Sequence, residues 1–596
     1  MSVLDRIERL RNVMEQQKID CYIIPTDDYH HSEYVGDYFK FREYITGFTG
    51  SAGTAVFTKD KAGLWTDGRY FIQAEAQLKG SGITLYKSGE SDVPTIEEFL
   101  KSELKEGDVL GFDGRTVTYA QGKRYCHIAD ENGASLKYSL DFAQNIWKER
   151  PEMSMESVFS LEDEYTGEKI GSKLERIREI MKENGCNAHV LSSLDDIAWL
   201  LNIRGNDIAY CPLVLSYAIV YNNSVELFAD IRKFSDDIIN LLAENQVKIY
   251  PYEDIYRKVS EMTSEDKLLL DSAIMNYSLY QAISKETVIV DKQNPEILMK
   301  SVKNETQAEN LRKAHLKDAV AHTKFMYWLK KNIGRVEITE LSASARLEGL
   351  RAEQEHFLGP SFGPISAYGE HGAIVHYSAD EKSNVPLKEG KLFMTDTGGH
   401  YLEGSTDITR TVALGEVGNI EKEHFTLVAR AMLHLANTVF LYGCSGANLD
   451  CIAREVFWKE GLNFNHGTGH GVGYLLNIHE GPINFRWKEG ERPAPALEEN
   501  MVITDEPGIY IEGSHGIRLE NELLVRKTVK NEYGQFMNFE ILTYVPIDLD
   551  AILPEKMSTE EKEMLNHYHK QVYEKVSPYL SEEERIWLKE YTRAVK

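Results

Sequence analysis

An internal repeat constrains the fold of this 596-residue chain more than any other feature. The segment that begins at Ile7, IERLRNVME, recurs without gaps at Leu174 as LERIREIMK, an offset of 167 residues. Each copy continues into an apolar run and a pair of aspartates, which argues against a chance likeness of two helices. An amphipathic helix that leads into buried strands is typical of α/β domains. We therefore expect two such domains at the front of the chain.

The remainder of the chain has a different pattern. Apolar periodicity predicts a long helix over about 304–331 and a second over about 340–354, followed by a strand-rich region. Ser558 and Ser581 each precede a glutamate by three residues, which is a capping-box signature and predicts two terminal helices. The expected class is a multidomain α/β and α+β protein. Its predicted domains are 1–157, 158–302 (a repeat of the first) and 303–596.

Composition excludes several classes of function. Hydrophobic residues make up 42% of the chain and charged residues 27%, as in ordinary soluble proteins. The net charge of −27 argues against nucleic acid or an anionic membrane as a partner. The sequence shows no secretory signal and no apolar stretch of membrane-spanning length. Its six cysteines lack C-x-x-C spacing, which favours buried thiols in a reducing compartment, so we expect a cytoplasmic protein.

Four carboxylates and one histidine in three short segments are the candidate functional residues. They are Asp396, Asp407, His470, Glu506 and Glu520. So much negative charge is costly to gather in a dry pocket unless cations neutralise it. One divalent ion rarely needs four carboxylates, whereas two ions roughly 3.5–4 Å apart can share bridging carboxylates. The set therefore predicts a dinuclear metal site for hydrolysis.

The spacing of the carboxylates predicts two hairpins. Asp396 and Asp407 lie in two β-type runs, and a hairpin centred near residues 401–402 would place them opposite each other. Glu506 and Glu520 lie symmetrically about Gly513 in a turn-like segment. Antiparallel strands hold metal ligands rigidly. The alternative, four unrelated surface carboxylates, fits this symmetry poorly.

Histidines add to the candidate site. They are His376, His466, His470 and His479. Two glycines between His466 and His470 argue against a helix, and in an extended strand both imidazoles would face one cleft. A lone histidine is usually structural, but four close in sequence to a carboxylate cluster favour function. The nearby glycines fit neither G-x-G-x-x-G nor a P-loop, so no nucleotide is expected.

These segments resemble the catalytic domain of the pita-bread metallopeptidases, the family of methionine aminopeptidase, prolidase, Xaa-Pro aminopeptidase and the metal-free creatinase. The resemblance is closest to the long, three-domain Xaa-Pro aminopeptidases. It includes FREYITGFTGSAGT from Phe41, DIAWLLNIRG from Asp196 and GPSF from Gly359. All five ligand positions hold ligand-type residues, unlike the creatinase branch. The resemblance implies two creatinase-like α/β domains followed by a pita-bread catalytic domain with a C-terminal helical extension.

The resemblance also implies an activity, which is removal of the N-terminal residue from peptides with proline at the second position. A metal-bridging hydroxide would attack the scissile carbonyl. Asp396 would bind one ion, His470 and Glu506 the other, and Asp407 and Glu520 would bridge the two. The family commonly uses Mn²⁺, although Co²⁺, Fe²⁺ and Zn²⁺ also suit these ligands. Glu506 is also expected to shuttle the proton to the leaving nitrogen.

Further residues receive roles from the same resemblance. His376, His466 and His479 would bind substrate and stabilise the transition state, and Arg518 would hydrogen-bond a ligand carboxylate such as Asp396. Arg42 is either a substrate-binding residue or a structural arginine.

The two front domains would wall the cleft and contribute to a homodimer. Two alternatives remain open at this point. One is a prolidase-type Xaa-Pro dipeptidase, which the two extra front domains disfavour. The other is a non-catalytic pita-bread binding protein, which the complete ligand set disfavours.

Overall fold

The computed structural model describes residues 1–488, 490 and 492–596, and it divides into two compact units. The N-terminal unit comprises Met1–Leu161 and Glu168–Glu296, and the C-terminal unit comprises Glu162–Gly167 and Ile297–Lys596. Across the described residues, no helix combines the length and the apolar character needed to cross a bilayer. The domain boundaries expected near residues 157 and 302 stay predictions.

The first sheet of the N-terminal unit has six strands. Its strands, in order across the sheet, are Thr84–Lys87, Ala62–Thr66, Thr54–Thr58, Cys21–Pro25, Val109–Phe112 and Ser135–Lys137. Its main helices are Val3–Gln17, Phe41–Thr46, Phe71–Gln77, Ile96–Glu103 and Tyr119–Glu131. Ser2 and Asp5 form a capping box that starts the first helix, and one face of that helix is buried.

The second sheet repeats this topology. Its strands, in order, are Val247–Tyr250, Val225–Phe228, Tyr217–Tyr221, Ala188–Leu191, Lys267–Leu270 and Val288–Asp291. Its main helices are Ile170–Glu183, Leu194–Leu200, Asp236–Glu244, Asp254–Ser260 and Tyr277–Ala282. In both sheets the same pairs of neighbours are parallel or antiparallel.

The helix faces show the repeat residue by residue. Ile7, Leu10 and Met14 are the buried positions of the first helix. Their counterparts at the 167-residue offset are Leu174, Ile177 and Met181, and these are buried too. The predicted internal duplication is therefore confirmed in both sheet order and core packing.

The C-terminal unit combines long helices with small antiparallel sheets. The helices are Glu305–Asn332, Glu340–Ala352, Asn419–Ala436, Gly446–Trp458, Thr559–Val576 and Glu582–Tyr591. One sheet contains Ile365–Tyr368, Lys391–Thr397 and Ile408–Leu414, and another contains Phe357–Pro360, Gly399–Tyr401 and Gly404–Ser405. The largest has, in order, Phe440–Leu441, Gly534–Ile541, Asn521–Asn531, Val502–Asp505, Gly469–Gly471 and Glu480–Phe485. Gly508–Ile511 and His515–Arg518 form a separate hairpin.

Local sequence signals predicted the ends of four of these helices accurately. The first two begin and end within two residues of their predicted bounds. The capping boxes predicted at Ser558 and Ser581 are both present, each with the serine side chain bound to the glutamate backbone three residues on. The helices pack their apolar faces on the sheets around one large core that includes Phe325, Phe425 and Phe485.

The hairpin predicted for Asp396 and Asp407 is wrong in its register. Lys391–Thr397 does pair antiparallel with Ile408–Leu414, but Asp396 lies opposite Thr409. Asp407 falls just before its strand, so the two aspartates are diagonal neighbours. Between the strands the chain leaves this sheet and pairs elsewhere. At Gly398 the backbone passes very close to Thr406, because a Cβ there would lie 1.8 Å from the Thr406 carbonyl oxygen. Glycine, which has no Cβ, permits this crossing.

The hairpin predicted about Gly513 is confirmed. Ile511 pairs with His515, and Gly513 has the positive φ of +70° that its turn requires. The neighbouring ladder pairs Asp505 with Asn521 in the same register. Glu506 and Glu520 therefore occupy matching positions at the junction of the two ladders.

The extended strand expected across His466 and His470 is wrong. The strand that carries His470 spans only Gly469–Gly471, and His466 lies in a bend before it. The Thr468 N–H donates to the Phe485 carbonyl oxygen, and the Arg454 guanidinium holds the His466 carbonyl oxygen. His466 therefore lies outside the strand that carries His470, and one strand does not position both histidines.

Candidate metal centre

The structure brings all five predicted ligands together in the C-terminal unit. Ligand atoms of Asp396, Asp407 and Glu520 lie within 4.8 Å of one another, and so do those of His470, Glu506 and Glu520. Glu520 belongs to both groups. Two ions that share a bridging carboxylate would use such an arrangement.

Each of these side chains is placed by a different strand or strand end. Asp396 is near the end of Lys391–Thr397, and Asp407 lies just before Ile408–Leu414. Glu506 and Glu520 flank the hairpin, while His470 is the central residue of its short strand. That strand lies so close to its neighbour that a Cβ at Gly469 would be 1.8 Å from the Thr504 carbonyl oxygen. Backbone proximity thus brings the imidazole to the carboxylates.

Negative charge accumulates in this pocket. Burial, together with neighbouring carboxylates, raises the pKa of Asp407 and of Glu520 well above the usual range. The Thr409 hydroxyl donates to Glu520 Oε2 at 2.7 Å, and the Asp407 N–H donates to Glu522 Oε1 at 2.6 Å. Bound cations would remove the repulsion that raises these pKa values.

The donor set fits two divalent ions. Asp396 Oδ1 is buried and has no hydrogen-bond partner among the described residues, so it presents a lone pair to the pocket. His470 Nε2 lies 3.5 Å from Asp407 Oδ2 and 3.6 Å from Glu506 Oε1. His470 Nδ1 lies 3.0 Å from the Gly471 carbonyl oxygen. A proton on Nδ1 would leave Nε2 unprotonated and able to bind a metal.

Arg518 makes the contact that the sequence predicts. Its Nη2 donates to Asp396 Oδ2 at 2.5 Å and to the carbonyl oxygen of Val375 at 3.3 Å. Its Nη1 donates to the Tyr510 hydroxyl at 2.6 Å. The guanidinium therefore fixes a ligand carboxylate and the backbone next to His376.

His466 lies outside the ligand groups but is linked to them. Its Nε2 lies 2.9 Å from the Tyr510 hydroxyl, which connects it through Arg518 to Asp396. Burial and the nearby Arg518 lower the pKa of His466 to about 3. The imidazole is consequently neutral at physiological pH, so it acts as a hydrogen-bonding group.

The other predicted residues fall in different surroundings. His479 stacks edge to face on His470 at 4.3 Å between ring centres, and it has a ligand atom within 4.8 Å of those of Asp407 and His470. Its imidazole is therefore within reach of the same ion as Asp407 and His470, and its substrate-binding role stays a prediction. His376 follows Val375 and is partly exposed.

Arg42 belongs to the N-terminal unit. It is buried and donates to the Thr26 hydroxyl at 2.8 Å and to the carbonyl oxygens of Phe48 and Gly50. These contacts suit a structural arginine, and its substrate-binding role stays a prediction.

Sequence reasoning missed several residues of the site. They are Thr409, Tyr510, Glu522 and Asp505, the last with both carboxylate oxygens buried and unpartnered among the described residues. Thr409 alone was open to prediction, because it lies two residues after Asp407 and shares its strand face. The contact of Tyr510 with His466 joins residues far apart in sequence, which no local pattern indicates.

Family models match almost the whole chain. Residues 309–527 match the model of metallopeptidase family M24, and residues 535–595 match its C-terminal region. Residues 6–137 and 149–307 each match a creatinase/prolidase N-terminal domain.

Relatives match over nearly the full length. Xaa-Pro aminopeptidase 1 of Dictyostelium discoideum is 36% identical over 97% of this chain and 94% of its own. Aminopeptidase P1 of Arabidopsis thaliana is 34% identical over 99% of both. The crystal structure of an X-prolyl aminopeptidase from Caenorhabditis elegans, described as cytosolic with a di-nuclear active site, has a TM-score of 0.95 at 34% identity and covers 100% of both chains. The chain therefore belongs to the Xaa-Pro aminopeptidases of metallopeptidase family M24.

Proposed function

We propose that this chain removes the N-terminal residue from peptides whose second residue is proline. The observation that carries the proposal is that Glu520 is shared between two groups of potential ligands, Asp396 with Asp407 and His470 with Glu506. Full-length relatives are named for this activity. The C. elegans relative has a di-nuclear active site.

The residues divide the chemistry between them. Two divalent ions bound here would lower the pKa of a water and polarise the scissile carbonyl. Asp396 would hold one ion, His470 and Glu506 would hold the other, and Asp407 and Glu520 would be shared between them. Mn²⁺ is our proposed metal, since one imidazole among carboxylates suits it.

Glu506 moves the proton. Its carboxylate takes a proton from the attacking water and delivers it to the leaving nitrogen. When proline follows the scissile bond, that nitrogen belongs to a tertiary amide and carries no hydrogen. A well-placed acid is therefore required for it to leave as an amine.

Three histidines orient the substrate. We assign substrate contacts to His376, His466 and His479, with Arg42 as a further candidate in the N-terminal unit. His466 serves as a neutral partner because its pKa of about 3 keeps it unprotonated. Arg518 holds Asp396 in place through its 2.5 Å contact.

The wider setting is also part of the proposal. We place the enzyme in the cytoplasm as a homodimer, with domains 1–157, 158–302 and 303–596. The C. elegans relative is described as cytosolic, and Cys21, Cys186 and Cys211 are buried free thiols. The homodimer rests on the family resemblance, and light scattering on the purified protein tests it.

Peptide length tests the proposed specificity. We expect a tripeptide Xaa-Pro-Yaa to be cut at least as fast as the dipeptide Xaa-Pro, with a matched Xaa-Ala-Yaa peptide as the control. Cleavage of the dipeptide alone would identify a prolidase. No cleavage of any peptide by protein that holds two metal ions would indicate a binding protein.

A further inference from the structure

His376 lies on a long connection between two strands. It joins strand Ile365–Tyr368 to strand Lys391–Thr397 and begins with a short 3₁₀ turn over Gly369–Ala373. Side chains on loops are held less firmly than those on strands or helices. A substrate contact at His376 therefore needs an anchor outside the loop.

Glu340 is placed to provide that anchor. It is the first residue of helix Glu340–Ala352, and it is fully buried. Its Oε1 accepts hydrogen bonds from Tyr368 N and His371 Nδ1, both at 2.8 Å. Its Oε2 accepts from the Tyr377 hydroxyl at 2.9 Å and from Val385 N at 3.3 Å. One carboxylate thus binds the start, the middle and the end of the connection.

Backbone contacts tie the same helix start to the end of the connection. The Glu340 N–H donates to the Val385 carbonyl oxygen at 3.2 Å, and the Leu387 N–H donates to the Ile338 carbonyl oxygen at 2.8 Å. The His371 and Tyr377 rings stack with centres 4.5 Å apart. The segment that contains His376 is therefore closed on itself around Glu340.

The middle of the connection lies against the metal-binding hairpin. Gly372 and Gly516 approach so closely that a Cβ on Gly516 would lie 1.6 Å from the Gly372 carbonyl oxygen. Arg518 joins the two through the Val375 carbonyl oxygen. A shift of the connection would therefore change the distance between His376 and the ligands.

We infer that Glu340 is a positioning residue, which fixes the segment of His376 against the hairpin of the predicted ligands by binding both ends of the connection. The inference rests on the proposed function, in which His376 contacts substrate. Tyr377 is the closest link, because it follows His376 directly and donates to Glu340. A displacement of about 1 Å at such a site can cost roughly 100-fold in rate.

Three variants and a control test this role. Glu340→Ala removes all four acceptor contacts, and we expect kcat/KM to fall roughly 100-fold, mostly through KM, with two metal ions still bound. Glu340→Gln keeps one oxygen for Tyr368 N and His371, and its amide can donate to the Tyr377 hydroxyl but cannot accept from Val385 N. Because only the long Val385 contact is lost, a loss of only about threefold is expected. Glu348→Gln, on an exposed position of the same helix, should match the wild type.

Tyr377→Phe tests the inference even if Glu340→Ala does not fold. It removes the hydroxyl contacts to Glu340 Oε2 and to the Ser383 carbonyl oxygen, and we expect an increase of about threefold to tenfold in KM with an unchanged melting temperature. Metal content measured by mass spectrometry should stay at the wild-type value in every variant.

A double variant separates positioning from general destabilisation. Because Glu340 is inferred to act through His376, adding Glu340→Ala or Tyr377→Phe to His376→Ala should cost no further activity. If the losses of activity multiply in the double variants, the inference is wrong. It is also wrong if both Glu340→Ala and Tyr377→Phe keep the wild-type KM. A harmless His376→Ala would remove its premise, whereas a wild-type protein inactive on all peptides would count against the proposed function instead.

Discussion

Glu520 is the residue on which both halves of the metal centre depend. It lies in the Asp396 group and in the His470 group, and it is fully buried beside Asp407. Burial, and then repulsion between neighbouring carboxylates, raises the pKa of both groups in the absence of cations. Bridging ligands should therefore affect both ions at once.

Substitution of a bridging residue should remove metal and activity together. We expect Asp407→Asn and Glu520→Gln each to lower kcat roughly 100-fold or more and to bind fewer than two ions. Metal analysis and peptide hydrolysis measure this. Glu512→Gln, in the exposed turn of the same hairpin, is the matched control. Near-full metal content with near-full rate in either variant would show that the bridging assignment is wrong.

His466 should affect turnover without affecting metal content. Its Nε2 contacts Tyr510 and lies in none of the ligand groups. We expect His466→Ala to lower kcat by about 100-fold, and His567→Ala, at an exposed position, to have no effect. Since the His466 imidazole is neutral above a pKa of about 3, it should add no inflection to the pH–rate profile between pH 5 and 8. Loss of metal in His466→Ala would make it a ligand.

At the scale of single elements, sequence symmetry predicted one hairpin and not the other. The turn at Gly513 continues in one register into the flanking strands, so counting residues from the glycine located Glu506 and Glu520 correctly. The Asp396 turn includes the close contact at Gly398 and a crossing into a second sheet. Counting residues from the turn therefore placed Asp407 opposite Asp396, whereas Thr409 lies there.

Contacts between distant segments lay beyond sequence reasoning. The ligand types and the two front α/β domains were predictable because the sequence itself shows a charge-rich ligand set and an ungapped repeat, whereas the pita-bread domain was predicted from the family resemblance. The link from His466 through Tyr510 to Arg518, and the four donors on Glu340, join separate elements. Only tertiary packing creates such contacts, so no periodicity or motif marks the residues beforehand.

Glu561 joins two helices of the C-terminal unit, and its charge should stabilise them. Its Oε1 accepts from Arg430 Nε at 2.9 Å and lies 2.8 Å from His434 Nε2, while its Oε2 accepts from Ser558 N at 2.7 Å. These contacts lower its pKa from 4.5 to about 2, although burial opposes the shift. A lowered folded-state pKa stabilises above pH 4.5, and the gain disappears as pH falls toward 2.

The expected result is a pH-dependent cost of the Glu561→Gln substitution. Unfolding should become easier by about 2–3 kcal/mol near pH 7, and the difference from the wild type should shrink as pH falls from 4.5 toward 2. Urea denaturation followed by fluorescence measures it. Glu560→Gln, exposed on the same helix, is the control. A difference that stays constant down to pH 2 would contradict the role of the charge.

At the scale of the whole molecule, full-length likeness to aminopeptidases predicts a requirement for a free N-terminus. Acetylation of a Xaa-Pro-Yaa peptide leaves the scissile bond unchanged but removes the amine charge. We expect cleavage to fall at least roughly 100-fold, because loss of one partner of a buried charge pair typically costs this much. Efficient cutting of the acetylated peptide, or of a Pro bond deep inside a longer chain, would show an endopeptidase.

The central claim, a dinuclear metal centre that cuts before proline, is tested most directly by metal reconstitution. Chelator-stripped protein is incubated with Arg-Pro-Pro with and without added Mn²⁺, released arginine is followed by HPLC, and bound metal is counted. We expect no cleavage by the stripped protein, and release of arginine that rises to its maximum as the second ion binds. Full cleavage without metal, or no cleavage with two ions bound, would contradict it.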